Sequence, residues 1–330
     1  MPLTPPYSPY PTNRSMLESF GGFETLFYRY EKPERFFRLS VPWDSKIRAP
    51  LQEMGIQAIS LSYYDGWRAK DLDFLLELPF LRAVRLYGYL GSNFDPIDLS
   101  ALSQCVWLKT LTLNINNSIK MLPPLSPLVN LEVLDLFMYR QQFSDRLTNA
   151  SLRQLYISNA LKMTEVDLTG LGRLSHLHFR ENKLLKDVVI SEEIDLKGFE
   201  TFANPRLCAV EGLSKISSDC TIWVGRSRAF QLANLPANTK GLWLASVGKI
   251  ANLSFLSKLE NLEEIFIFGT TDIVDGNLSI LLTLPKLRTV NLDNRRHYSH
   301  KRDEIRAVLK KRRENLGPSG NQGISPVQVP

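Results

Sequence analysis

Long apolar runs are missing from this chain: no stretch reaches the roughly 18 consecutive apolar residues of a membrane-spanning helix. Cysteine is scarce. Cys105, Cys208 and Cys220 are odd in number and scattered, which argues against a disulfide framework. A reduced, cytosolic chain with all three as small buried hydrophobes is expected. The opening stretch MPLTPPYSPYPTNRS has no basic segment followed by an apolar one, so the secretory signature is lacking and a cytoplasmic location is expected. A Gly-rich phosphate loop, a nucleophile elbow and a Cys-x-x-Cys pair are lacking too.

Only four histidines are present. His176 and His178 are two apart in a predicted strand and so share an outward face. No carboxylate or cysteine completes a metal set at a useful spacing, so they read as polar face residues. His297 and His300 are three apart, and a helix would face them together; phosphate or partner contact fits them better than metal, and a solvated cap fits better still. No metal, cofactor or catalytic residue is expected, and the chain reads as a non-enzyme.

The net charge of +6 is local. Residues 295–314 hold nine Lys/Arg against three Asp/Glu, and the rest of the chain is balanced. A basic segment of this kind is a possible nucleic-acid contact, but only Tyr298 interleaves it as an aromatic, so nucleic acid is a secondary reading.

What the chain has in abundance is one frame, apolar-x-x-apolar-x-apolar. It occurs as IQAISL, LRAVRL, LKTLTL, LEVLDL, LRQLYI, LSHLHF, LKGFET, DCTIWV, TKGLWL, LEEIFI and LRTVNL, eleven copies at intervals of 20 to 27 residues. Three copies are imperfect: Thr201 replaces the last apolar residue, and Asp219 and Thr239 replace the first. Before several copies, leucines recur every third residue, as in Leu72, Leu75, Leu78 and Leu81, or Leu253, Leu256, Leu259 and Leu262. A spacing of three suits 3₁₀ turns, and prolines nearby exclude long α-helices. Asn159, Asn182 and Asn204 follow their strands, where an asparagine ladder would satisfy backbone groups at the bend.

This frame and period are the signature of leucine-rich repeats. The chain resembles the bacterial leucine-rich repeat family with repeats of about 22 residues, the internalin type, over residues 51–294. The expected fold is an α/β repeat: a curved solenoid with a parallel sheet on the concave side and 3₁₀ or irregular turns on the convex side. No single repeat buries its leucines alone; stacking creates one continuous core.

Such a stack needs capped ends. Residues 1–14 read as a proline-rich flexible tail and residues 15–50, dense in aromatics, as an N-terminal cap. Residues 295–316 read as a basic capping helix with Ile305, Val308 and Leu309 on its apolar face. Residues 317–330 read as a disordered tail.

In each frame the residue between the last two apolar positions, and the residue after the frame, face outward onto the concave sheet. Stacking then places Trp223, Trp243 and Phe266 side by side, with Phe202 and Phe268 beside them. A second aromatic group holds Tyr87, Phe137 and Tyr156. Arg85, Asp135, His178, Arg180 and Glu200 lie between the two. Aromatic anchors amid charge are what a protein-binding surface requires. The competing expectation is that the chain's own ends fold across this face.

The expected function is a non-catalytic scaffold binding a partner protein on its concave aromatic face. The stretch GTTDIVDGNLSILLTLPKLRTVNLDNRRHYSHKRDEI is also similar to small bacterial leucine-rich repeat proteins that accompany secreted toxins. That resemblance implies a cytosolic immunity protein that occludes a toxin domain. A secreted effector that binds host proteins is the alternative.

Overall fold

A computed structural model describes residues 21–26, 34–89, 97–116, 122–137, 147–191 and 193–316 of the chain. Within these residues the eleven frames become eleven parallel strands. They are β3 (Ala58–Ser62), β4 (Ala83–Tyr89), β5 (Thr110–Asn116), β6 (Val133–Phe137), β7 (Gln154–Ser158) and β8 (His176–Arg180), followed by β9 (Gly198–Phe202), β10 (Cys220–Gly225), β11 (Thr239–Ala245), β12 (Glu264–Phe268) and β13 (Thr289–Leu292). Two strands precede them, β1 (Gly21–Leu26) and β2 (Glu34–Leu39), an antiparallel pair whose second member joins β3 in parallel. All thirteen form one continuous sheet in sequence order.

The register follows from strand alternation. Ile59, Val84, Leu111, Leu134, Leu155, Leu177, Phe199, Ile222, Leu242, Ile265 and Val290 stand opposite one another along the sheet, and each is at most 2% exposed. Burying an aliphatic side chain of this size contributes about 1.5–3 kcal/mol, and the row repeats in every rung. The fold is therefore a leucine-rich repeat solenoid.

On the convex side the leucine triplets make 3₁₀ turns, as at Asp73–Glu77, Ser100–Gln104 and Ser254–Lys258. The central repeats depart from the expected irregular turns: Glu165–Asp167, Asp187–Val189 and Ala209–Glu211 pair as a small parallel sheet. Each is three residues long with its middle valine buried, so alternation sets strand geometry where the leucine triplet is interrupted.

The bend after the concave strands uses an unusual backbone. Asn159, Glu181, Ala203, Arg226 and Ser246 all have φ between 48° and 59°, and Gly269 continues the column at 70°. Each N–H in the column still reaches the next rung: Glu181 N donates to Phe202 O and Ala203 N to Gly225 O, both at 2.8 Å. The following residue turns inward. Asn182 Oδ1 accepts from Ala160 N, and Asn204 Oδ1 accepts from Asn182 N, each at 2.8 Å. Asn182 Nδ2 donates to Ile157 O and Asn204 Nδ2 to Phe179 O. Ser227 Oγ extends the ladder by accepting from Asn204 N. Asn159 is not a rung of this ladder, contrary to the sequence expectation: it lies one residue early, at the left-handed bend, and its side chain donates to Glu181. Ala160 occupies the ladder position there.

Residues 1–14 and 317–330 lie outside the described residues. Within 15–50, the hairpin is followed by a 3₁₀ turn, Ser45–Ile47, and by helix α1 (Arg48–Glu53). At the other end, a short helix α2 (Ile280–Thr283) and helix α3 (Arg302–Leu316) close the last rung. Tyr298, Ile305 and Leu309 are buried. Val308, expected on the apolar face, is 43% exposed. The inward position near the helix end is taken by Arg312, which donates to Leu282 O and Leu284 O. A guanidinium satisfies open carbonyls at a solenoid end, which a valine cannot do. Cys105 and Cys220 are buried as expected, but Cys208 is exposed; it precedes a convex strand rather than lying within the core frame.

Candidate functional site

Outward side chains make three rows on the concave sheet, and the rows differ in size. One row runs Ala58, Ala83, Thr110, Val133, Gln154, His176, Gly198, Thr221, Gly241 and Glu264, with glycine at two positions; the next holds Tyr156, His178, Glu200, Trp223, Trp243 and Phe266. The small residues give the rings room. A Cβ on Gly225 would lie 2.4 Å from Phe202 Cδ2, and one on Gly198 would lie 2.8 Å from His176 Cδ2. The Phe202 and His176 rings therefore lean over the neighbouring strand.

The result is a continuous aromatic row across β9 to β12. Phe202 meets Trp223 with ring centroids 6.3 Å apart, Trp223 meets Trp243 at 5.8 Å, and Trp243 meets Phe266 at 5.4 Å. All three contacts are edge-to-face, the arrangement that ring quadrupoles favour. Phe202, Trp223, Trp243 and Phe266 are half-buried, and Phe268 is 37% exposed. The row is thus an ordered surface rather than a core. Trp243 Nε1 has no hydrogen-bond acceptor among the described residues.

Upstream, Tyr156 stacks on His178 at 4.4 Å with the planes 11° apart. His178 Nδ1 lies 3.1 Å from Glu200 Oε2. The contact ties the imidazole to the carboxyl group of the next rung. The two residues are 5% and 3% exposed. His178 flanks Tyr156 from the next strand, and the buried pair presents little charge to a partner. The carboxylate that meets His178 comes from the same register position one repeat later, which a search along a single strand does not reveal. His176 is held below the usual histidine pKa by burial first and by His178 second. Among the described residues no group of three metal-ligating side chains assembles.

Asp135 sits on β6 between Thr112 and Tyr156. Burial pushes its carboxyl up to about 6, against the opposing pull of Arg85. Phe137, on the same strand, is half-buried. Tyr87 is fixed by a hydrogen bond from its hydroxyl to Asp65 Oδ2 and by Arg85 over its ring at 4.2 Å. Tyr64, absent from the sequence reading, lies beside Tyr87 and is 72% exposed. It follows a strand outside the frame, so periodicity gave no signal for it.

The face is not open along its whole length. Ser60, Ser62, Ala83, Thr110 and Thr112, all outward by register, are at most 5% exposed, and Phe36 of β2 packs with Ala58 and Ala83. Phe36 belongs to the sheet itself, so this burial is lateral packing within the N-terminal strands; Arg85 and Tyr87 beside it stay half-buried. At the C-terminal end, α3 packs against β13 and α2, beyond the aromatic row.

The basic C-terminal segment is largely engaged in closing the last rung. Arg295 donates to Gly269 O and Thr271 O, Lys301 to Arg295 O, and Arg306 to Val290 O. His297 and His300 precede helix α3 and do not face one another along it. His297 Nε2 contacts Ile273 O at 2.9 Å, and His300 Nδ1 contacts Ser299 Oγ. Arg302, rather than either histidine, begins the helix.

No protein-family model matches the chain, and no curated protein matches it. Among solved structures, it is similar to the crystal structure of an internalin, InlF, from Listeria monocytogenes str. 4b F2365. The identity is 19% and the TM-score 0.45, covering 83% of this chain and 84% of that one.

Proposed function

We propose that this chain is a non-catalytic scaffold that holds one partner protein against the C-terminal two-thirds of its concave face. The observation that carries this reading is the unbroken row Phe202–Trp223–Trp243–Phe266, ordered by edge-to-face contacts and left half-exposed with Phe268 at its end. Rings fixed before binding lose little freedom on binding, and buried aromatic anchors carry most of the energy of protein interfaces. The finer proposal is a cytosolic immunity protein whose partner is a bacterial toxin domain. It rests on the resemblance of residues 269–305 to immunity-type repeat proteins, and a long concave face is well shaped to occlude an active site.

The test is affinity capture followed by titration with the captured protein. A single partner should bind with nanomolar affinity or tighter. Trp243→Ala and Phe266→Ala should each weaken it by about 2 kcal/mol or more, with the melting temperature little changed. A partner whose affinity ignores both substitutions would refute the concave-face reading. A partner that is not a toxin, or a toxin left active in the complex, would refute the immunity reading alone.

A further inference from the structure

Where the aromatic row meets the edge of the sheet, three arginines gather with no counter-charge among the described residues. Arg180 is the last residue of β8, and its guanidinium lies over the Phe202 ring at 5.1 Å. Arg226, at the left-handed bend after β10, lies over the same ring at 5.4 Å. Arg228 lies alongside Gly248, where a Cβ would meet its Cδ at 3.6 Å. None of the three makes an ion pair among the described residues, and Arg180 Nε lacks an acceptor. By contrast, Lys109, Lys197 and Lys240 each pair with a carboxylate. The nearest acid in the bend column, Glu181, accepts from Asn159 instead.

Arg226 and Arg228 also bound an open pocket of about 510 Å³, completed by Pro205, Ser246 and Thr270. The hydroxyl residues can donate to an oxyanion, and no carboxylate lines the pocket. Two cations held over one ring repel each other until an anion arrives, and a fork-shaped guanidinium suits a carboxylate in particular. The pocket adjoins Phe202, so one ligand segment can reach both the pocket and the aromatic row.

We infer that this rim pocket receives an Asp or Glu side chain of the partner protein, placed next to apolar residues that settle on the Phe202–Trp223–Trp243–Phe266 row. The inference rests on the protein-binding reading and adds to it the chemistry of the partner's contact: an acidic segment with apolar neighbours. A carboxylate is favoured over a phosphate backbone because the cations form one compact cluster rather than a stripe that would follow a nucleic acid strand.

The test is selection of a displayed library of random 15-residue peptides on the full chain, run in parallel on Arg226→Glu/Arg228→Glu and on Trp243→Ala/Phe266→Ala. Circular dichroism and melting confirm that both variants fold. The wild type should enrich peptides with Asp or Glu beside aromatic or aliphatic residues. The arginine variant should bind those peptides at least ten-fold more weakly, and its own selection should lose the acidic preference while keeping the apolar one. Enrichment of apolar peptides with no acidic preference would overturn the carboxylate pocket and leave the protein-binding reading standing. No enrichment over the aromatic variant would overturn both. If a 20-nucleotide single-stranded RNA binds the wild type, loses binding in the arginine variant and displaces the selected peptides, the ligand class is nucleic acid and the inference is wrong.

Discussion

Replacing Asp135 by asparagine should stabilise this protein at neutral pH, although the change removes a charge that faces a cation. Asp135 lies on the concave side of β6, flanked by Thr112 and Tyr156 in the neighbouring strands. Burial disfavours its ionised form and lifts the carboxyl from an ordinary value of 3.8 to about 6, with Arg85 pulling the other way. The folded value lies above the unfolded one, so folding binds protons between those limits. The stability that protonated Asp135 contributes is therefore complete below pH 3.8 and is lost as pH rises through about 6. Each pH unit is worth about 1.4 kcal/mol, which caps the loss at ~3 kcal/mol by pH 7. Asparagine has nearly the same shape and never ionises. Denaturant unfolding of wild type and Asp135→Asn should show a gain of about 1–3 kcal/mol for the variant at pH 7, shrinking towards zero near pH 4. An equal gain at both pH values, or none at pH 7, would show that Asp135 is well solvated and would refute the burial argument. The same reasoning makes the ionised carboxylate a ready acceptor for a cationic group brought by a partner.

Further outcomes concern the bend and its ladder. Ala203→Gly should raise stability by about 0.5–1 kcal/mol, because a left-handed Cβ costs more than glycine's added freedom; a loss on denaturant unfolding would contradict the φ of 55° at that residue. Asn204→Ala removes two donated bonds, to Phe179 O and Thr201 Oγ1, and leaves Asn182 N without its acceptor. About 3 kcal/mol or more should be lost, with amide exchange at Asn182 accelerated first; unchanged exchange there would refute the ladder.

The rungs and their register were legible in the sequence because every core position repeats at a fixed place in the frame. The concave residues were legible for the same reason, as the contacts from Phe202 to Phe266 show. What escaped was whatever depends on the neighbouring rung or on a break in periodicity. The His178–Glu200 contact joins residues 22 positions apart. The ladder needs the residue after the left-handed bend, a one-residue offset that strand alternation does not encode, so Asn159 was misplaced. Val308 and Arg312 show the limit of helical periodicity at an end: the inward position faces open carbonyls as well as leucines. The burial of Ser60, Ser62 and Thr112 has no signature in a row of small polar residues.

The proposed docking surface requires aromatic rings lying open on the hollow side of the stack. Hydroxyl-radical footprinting of the full chain, free in solution, tests that most directly. Trp223, Trp243, Phe266 and Phe268 should be modified at least several-fold faster than Trp67, which is fully buried. Modification of those four rings as slow as that of Trp67 would mean that the face is turned inward or already covered, and no docking surface would remain.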